Sequence, residues 1–219
     1  MADDLIAAVK PRLRGWLHAG MTPLVVVGSI VLVVLSPTPA AKVSTAIFGL
    51  SAILLFATSA VYHRGTWSPR VTAVLRRLDH TNIFLIIAGT YTPLSVLLLP
   101  RATAQTLLIV VWVGALAGLL ARVFWLGAPR WFYTPIYVVL GWVAVAFLPQ
   151  FWAAENGPAI VWLVAIGGLA YTLGAVVYGL KRPNPSPRWF GFHEVFHSLT
   201  VVGYLCHYVA VSIASYSAG

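Results

Sequence analysis

Seven long apolar stretches dominate this chain of 219 residues. They cover about residues 16–35, 43–63, 79–99, 103–123, 133–148, 159–180 and 189–213. A helix needs about 20 consecutive apolar residues to cross a bilayer, and most of these stretches reach that length. We therefore predict an all-α integral membrane protein: one domain over residues 1–219, folded as a bundle of seven transmembrane helices. Residues 1–15 are expected to form an interfacial N-terminal segment.

Turn-forming residues separate the predicted spans. Ser68 followed by Pro69 is typical of a helix N-cap with proline at the first helical position, so we expect the third helix to begin there. The proline-rich, basic stretch 181–188 is predicted to be a non-helical linker. Residues 149–158, which contain Glu155-Asn156-Gly157, are predicted to be a loop in water.

The basic residues are distributed unevenly between the two ends of the predicted bundle. The formal net charge is +9, although only 9% of the residues are charged and 60% are hydrophobic. Twelve of the fourteen basic residues fall on the side that holds the N-terminus, and only Lys42 and Arg101 fall on the other. By the positive-inside rule this places the N-terminus in the cytoplasm. Basic residues in short loops between spans indicate orientation, so we predict no nucleic-acid partner.

The N-terminus and the cysteine content exclude two further features. The chain begins Met1-Ala2-Asp3-Asp4, with acids where a signal peptide carries bases, so we expect this segment to be retained. Cys206 is the single cysteine and lies in an apolar run. An internal disulfide is therefore impossible.

Two histidines at the start of the seventh span have the spacing of metal ligands. His193 and His197 are four residues apart, which places both imidazoles on one face of a helix. Zinc is the usual ion bound by such a pair. Ionisable side chains are rare inside membrane-spanning helices, which favours a functional role over a structural one.

Other ionisable residues, which are energetically costly inside a membrane, lie at the same end of the predicted bundle. His63 ends the second span, and Asp79 enters the membrane in the third, both at the face where the histidine pair begins. Three neutral imidazoles would leave one position of a tetrahedral zinc open, which is the pattern of catalytic sites. The sequence thus predicts a zinc site built from three helices.

Asp79 and Ser59 are the candidate catalytic residues. Asp79 would act as a general base, as a partner of the bound water or as a direct ligand, and the sequence does not separate these roles. Ser59, one turn before His63, would bond to Asp79, to a substrate oxygen or to a carbonyl of its own helix. Glu194 is a competitor for the base role, since a glutamate inside a histidine pair serves zinc peptidases in this way.

The remaining histidines are expected to lie outside the metal site. His80 points about 100° away from Asp79 around its helix. His207 lies ten residues beyond His197, about 15 Å along the helix, and is expected to make a structural hydrogen bond. His18 is expected to lie in the N-terminal interfacial region, with no part in the site.

Three motifs together resemble a known family. They are SAVYH at 59–63, DHTNIF at 79–84 leading into AGTYTP at 88–93, and HEVFH at 193–197. In order and spacing they resemble the hemolysin III family, the bacterial branch of the progestin and adipoQ (adiponectin) receptor family. The resemblance implies a bundle of seven helices in the cytoplasmic membrane, with zinc near the cytoplasmic face. It also implies the ligand set: His63, His193 and His197 directly, Asp79 through water, and Ser59 beside them.

The same resemblance suggests an activity, and two other readings compete with it. The family is similar to alkaline ceramidases, which implies hydrolysis of an amide or ester bond in membrane lipids and a link to lipid homeostasis. The second hypothesis is a non-enzymatic pore, sensor or regulator with a structural zinc. The third is an intramembrane zinc peptidase that uses Glu194, although the family does not restrict that position to glutamate.

Overall fold

The described part of the chain is helical and contains no β-strand. The computed structural model describes residues 11–125 and 130–219, without the side chains of residues 130 and 131. We number the α-helices in chain order: α1 Trp16–Leu35, α2 Pro39–Arg64, α3 Pro69–Leu98, α4 Arg101–Phe124, α5 Arg130–Gly141, α6 Leu148–Ala153, α7 Gly157–Leu180 and α8 Phe192–Tyr216. A 3₁₀ helix, Trp142–Phe147, joins α5 to α6.

Seven helical segments in the described residues are long and apolar enough to cross a membrane, which confirms the predicted all-α bundle. The fifth segment is composite and runs over Phe132–Ala153. Of the interfacial segment predicted at 1–15, residues 1–10 lie outside the described residues. Which end of the bundle faces the cytoplasm stays a prediction of the charge asymmetry.

Local capping fixes where two helices begin. The Ser68 hydroxyl accepts a hydrogen bond from the Val71 amide and Pro69 opens α3, as predicted. At the start of α2 the Thr38 hydroxyl accepts from the Ala41 amide at 3.2 Å, and Pro39 opens the helix. Since proline is well suited to the first helical position, α2 begins four residues before the predicted start.

The predicted water-exposed loop 149–158 is wrong over its first half. Residues Leu148–Ala153 are helical, because α5 breaks at Gly141 and the chain continues through the 3₁₀ helix into α6. Tyr91 of α3 satisfies the backbone at this break. Its hydroxyl donates to the Gly141 carbonyl and accepts from the Ala144 amide, both at 2.7 Å. A broken helix at membrane depth needs such partners, since the bilayer core offers no water.

Helix α3 is the most buried span and packs against α2, α4, α5 and α8. Gly89 allows one of these close approaches, because a β-carbon there would lie 2.1 Å from the Ser51 hydroxyl of α2. Helix α8 also packs against α7 and α1. The last turn of α2 and the first turns of α1 and α8 therefore meet at one end of the bundle.

Candidate metal centre

Three imidazoles from two helices form a cluster at this end of the bundle. His63 comes from the last turn of α2, while His193 and His197 come from the first two turns of α8. One nitrogen from each ring lies within 4.8 Å of the others, and His63 Nε2 is 3.2 Å from His193 Nε2. The structure therefore brings together the three histidines that the sequence predicted as metal ligands.

The cluster fits a metal ion. Zinc–nitrogen bonds of 2.0–2.1 Å in a tetrahedral site place neighbouring nitrogens ~3.4 Å apart, close to the separation between His63 and His193. Nδ1 of His197 is buried and has no hydrogen-bond partner among the described residues. An unsatisfied buried nitrogen is costly, and metal coordination within this group of rings would relieve the cost. Three imidazoles suit zinc but also other first-row metals.

Asp79 and Ser59 lie beside the histidines. Asp79 Oδ2 is 3.7 Å from His63 Nε2, and its side chain is 14% exposed. The buried Ser59 hydroxyl, one helical turn before His63, lies close to the Asp79 carboxylate, and both residues border the same cavity. Of the roles open to Ser59, this geometry favours a bond to Asp79. The carboxylate therefore lies at the edge of the histidine cluster.

An apolar cavity of about 170 Å³ opens from the cluster into the bundle. Asp79, Ser59, His193 and His197 border it at one end. Its remaining walls come mainly from apolar and aromatic side chains of α3, α5 and α7, among them Ile87, Leu94, Val138 and Val164. The candidate metal centre is therefore connected to a space that suits a hydrocarbon chain.

Glu194 is turned away from the cavity and is fully engaged. One carboxylate oxygen forms an ion pair with Arg14, and the other accepts from the Gly191 amide at 2.8 Å. The second bond caps the N-terminus of α8, where a negative charge is also favoured by the helix dipole. These contacts assign Glu194 a structural role and count against the peptidase reading.

The segment that precedes α1 closes over the histidines. The amides of Arg12 and Leu13 donate to the carbonyls of Arg188 and Trp189, which ties this segment to the linker before α8. Gly15 follows with φ +81°, and a β-carbon there would lie 2.7 Å from Cβ of His63. Only glycine combines this backbone conformation with so close an approach.

The predicted interfacial position of His18 was wrong. It belongs to the first turn of α1, where it is 2% exposed, and its ring stacks on His197 with centroids 3.8 Å apart and planes 4° apart. It also borders the cavity. The sequence signal was present, because an ionisable residue three positions into an apolar span is itself unusual.

His80 and His207 lie outside the cluster, as expected. Nδ1 of His80 is 2.8 Å from the Arg76 carbonyl, and its Nε2 is 3.3 Å from the Tyr178 hydroxyl. Nε2 of His207 lies 3.3 Å from the Val164 carbonyl, the structural contact that was predicted.

Sequence reasoning missed one buried cation. Arg122, counted above only toward orientation, is 2% exposed and stacks on Tyr133 with its guanidinium carbon 4.2 Å from the ring centre. Its Nη2 lies 3.2 Å from Nδ1 of His80. The sequence indicates only that Arg122 lies near the end of α4. It is buried because neighbouring helices pack around it.

Comparison with known proteins identifies the family of this chain. The family described as haemolysin-III related matches residues 6–208, which is most of the chain. The chain belongs to this family. It is 32% identical over 151 residues to a protein named hemolysin-3 homolog from Bacillus subtilis (strain 168), covering 68% of this chain and 70% of that protein. It is 26% identical over 174 residues to hemolysin-3 of Bacillus cereus, covering 78% of each.

Membership in this family confirms the resemblance to the hemolysin III family that the three motifs indicated. The matched region contains all three motifs and every residue of the histidine cluster. This haemolysin-III-related chain is thus a multi-pass membrane protein with a histidine cluster that could hold a metal ion.

Proposed function

We propose that this protein is a zinc-dependent hydrolase that cleaves an amide or ester bond in a membrane lipid. One observation carries the proposal: three imidazoles and a carboxylate lie at the end of an apolar cavity inside a bundle of membrane-spanning helices. Open zinc sites with three protein ligands are typical of hydrolytic centres. A lipid can place its chain in the cavity and its polar bond at the cluster.

His63, His193 and His197 would hold the ion. A zinc ion bound there supplies a water whose pKa is lowered toward about 7 and polarises a carbonyl oxygen. The carboxylate of Asp79, 3.7 Å from His63 Nε2, would take up the proton released by the attacking water. It would then return that proton to the leaving amine or alkoxide, so that water and lipid yield a fatty acid and the released headgroup portion.

The other side chains position these groups. Ser59 would hold the Asp79 carboxylate toward the ion through its hydroxyl. The apolar walls of the cavity would bind the acyl chain and limit access of bulk water, which strengthens the electrostatic interactions at the cluster. Membrane lipids are therefore the proposed partners.

The proposed location is the bacterial cytoplasmic membrane, with the metal centre near the cytoplasmic face. The asymmetry of the basic residues supports this orientation, because the cluster lies at the end of the bundle that carries most of them. Hydrolysis at this depth would alter the lipid composition of the membrane, consistent with a role in lipid homeostasis.

The test compares the wild-type protein with the Asp79→Asn variant. Each purified protein is incubated with vesicles containing lipid amides and lipid esters, released fatty acids are measured by mass spectrometry, and bound metal is measured by elemental analysis. We expect the wild-type protein to contain zinc and release fatty acid. Asp79→Asn should retain zinc while turnover falls at least about 100-fold, the usual contribution of a general base.

Two controls make this test decisive. Ser59→Ala should also retain zinc and lose less activity than Asp79→Asn, since it removes only a supporting hydrogen bond. Undiminished turnover in Asp79→Asn would contradict the base role. Wild-type protein with a full complement of zinc that cleaves none of the lipids would favour a non-enzymatic protein with a structural metal.

A further inference from the structure

Residues 11–15, which we call the clasp, contact both helices that carry the histidine cluster. Gly15 lies against α2, since a β-carbon there would come within 2.7 Å of Cβ of His63. Arg14 forms its ion pair with Glu194 in the first turn of α8. The clasp therefore bridges the end of α2 and the start of α8 beside the cluster.

Together with the first turn of α1, the clasp covers two of the cluster histidines. His63, which is 8% exposed, lies against Gly15. His197, which is 2% exposed, is stacked on the ring of His18. Bulk water at this end of the bundle therefore has little direct access to either ring.

The cavity is a poor route for an ion. It leads from the cluster into the bundle, and its walls are mainly apolar, among them Ile87, Leu94, Val138 and Val164. A metal ion that passed between these side chains would lose its hydration without gaining polar partners, which is strongly unfavourable. An ion that reaches or leaves the cluster must therefore pass through the end of the bundle where the clasp lies.

Polar contacts near the surface hold the clasp in place. The amides of Arg12 and Leu13 donate to the carbonyls of Arg188 and Trp189 at 3.0 and 3.2 Å. The Arg12 guanidinium lies 4.5 Å from the centre of the Trp189 ring, and the side chains of Arg12, Leu13 and Trp189 are exposed. Segments with few buried apolar contacts open locally at a much lower free energy than the whole fold. The clasp is therefore able to open while the helices stay packed.

We infer that the clasp is a gate for exchange of the metal ion between the cluster and water, and that the ion pair of Arg14 with Glu194 is its latch. Release of the latch lets the clasp move off His63, and the ion then enters or leaves. The inference rests on the proposed function only in taking a metal ion at the cluster, and it requires no hydrolysis. Because the latch supplies no metal ligand, it changes the rates of uptake and release together and leaves the affinity nearly unchanged.

The test measures zinc uptake and zinc release separately on the purified full-length protein. Release from the zinc-loaded protein is followed by stopped flow after mixing with an excess of a colorimetric chelator. Uptake by the metal-free protein is followed with a fluorescent zinc indicator. The latch variants are Arg14→Gln and Glu194→Gln. Arg77→Gln is the matched control, because it removes an arginine whose recorded hydrogen bond is to the Val123 carbonyl, outside the clasp.

Each latch variant should raise both rates about 10-fold, in the range for loss of one charge-assisted hydrogen bond, with the Kd for zinc within about twofold of the wild type. Arg77→Gln should exchange zinc at the wild-type rates. Unchanged rates in both latch variants would overturn the inference. Faster release with unchanged uptake would overturn it as well, because the substitution would then have weakened the metal site itself.

A chemical lock tests the opposite direction. Arg12→Cys and Trp189→Cys are combined in a Cys206→Ala background, and a short bismaleimide then joins the clasp to the linker before α8. Crosslinking should slow both uptake and release at least about 10-fold relative to the same protein before treatment, because it removes the open state. The two single-cysteine variants, treated in the same way, should be unaffected. Exchange that is equally fast after crosslinking would overturn the inference.

The outcomes also separate this inference from the proposed activity. Latch-dependent zinc exchange in a protein that cleaves no lipid would reject the activity and leave the gate standing. Lipid hydrolysis with exchange rates that do not depend on the latch would reject the gate and leave the activity standing. A wild-type protein that binds no zinc would overturn both.

Discussion

Nε2 of His63 lies 3.2 Å from Nε2 of His193, although the two residues are 130 positions apart in the chain. This contact joins the end of α2 to the start of α8. Two neutral imidazoles at this distance form either a hydrogen bond or neighbouring positions of one coordination sphere. His197 also offers a ring nitrogen within 4.8 Å of both, and this third nitrogen favours the second arrangement.

The first prediction concerns metal content. His193→Ala or His63→Ala should lower the metal content of the purified protein from about one equivalent to a small fraction, because a site with two imidazoles loses affinity by orders of magnitude. Elemental analysis by mass spectrometry makes the measurement. His207→Ala is the matched control: it removes a partly buried histidine of the same helix outside the cluster, and it should keep the metal. Full metal content in both cluster variants would refute the site.

The second prediction concerns Glu194. Glu194→Gln should leave lipid turnover within about threefold of the wild type, because the carboxylate contacts Arg14 and the Gly191 amide and faces away from the cavity. Stability should fall by about 1–3 kcal/mol, since Arg14 loses its charged partner. Thermal unfolding and a fatty-acid release assay make the two measurements. Abolished activity in a folded, metal-bound variant would restore the peptidase-type role for this residue.

The third prediction uses the close approach at Gly15. Gly15→Ala should weaken zinc binding in a chelator competition assay and destabilise the fold by about 1–2 kcal/mol. The reasons are that φ is +81° and that the new methyl group would lie 2.7 Å from Cβ of His63. Gly20→Ala is the control, because a β-carbon at that position in α1 meets no atom within 4 Å. That variant should be neutral or slightly more stable.

The fourth prediction concerns orientation. With the N-terminus in the cytoplasm and seven spans, the C-terminus emerges on the opposite side of the membrane. A C-terminal alkaline phosphatase fusion should therefore be active, and a C-terminal fusion of green fluorescent protein delivered by the same route should be dark. A fusion after residue 183, in the linker between α7 and α8, should give the reverse pattern. Fluorescence at the C-terminus would overturn the assigned orientation.

Much of the fold could be predicted because the signals are local. Length and hydrophobicity identify a membrane-spanning helix, and Ser68-Pro69 marks the start of α3, without knowledge of any neighbour. The composite fifth span was beyond such reasoning. Its break at Gly141 is tolerated because Tyr91, fifty residues earlier in the chain, supplies a hydrogen-bond partner to each side of the break.

In the candidate site, too, some residues could be predicted from the sequence and others could not. The spacing of His193 and His197 and the positions of His63 and Asp79 at matching span ends were sufficient to predict the cluster, because helix geometry relates sequence distance directly to spatial distance. The predicted position of His18 was wrong because sequence distance along one helix does not determine what packs against a residue near its end. A position near a helix end is compatible with the membrane interface or with the interior, and only the packing of α1 against α8 decides between them.

The sequence by itself determined seven membrane-spanning helices and the end of the bundle at which the polar residues gather, since both follow from periodicity and hydrophobicity along one chain. The tertiary structure decided which side chains face one another: His18 against His197, Arg14 against Glu194, and Arg122 against Tyr133. The physical reason is that helix rotation and pairing are set by contacts between residues far apart in sequence. Because of those contacts, Glu194 caps a helix whereas Asp79 borders the cavity.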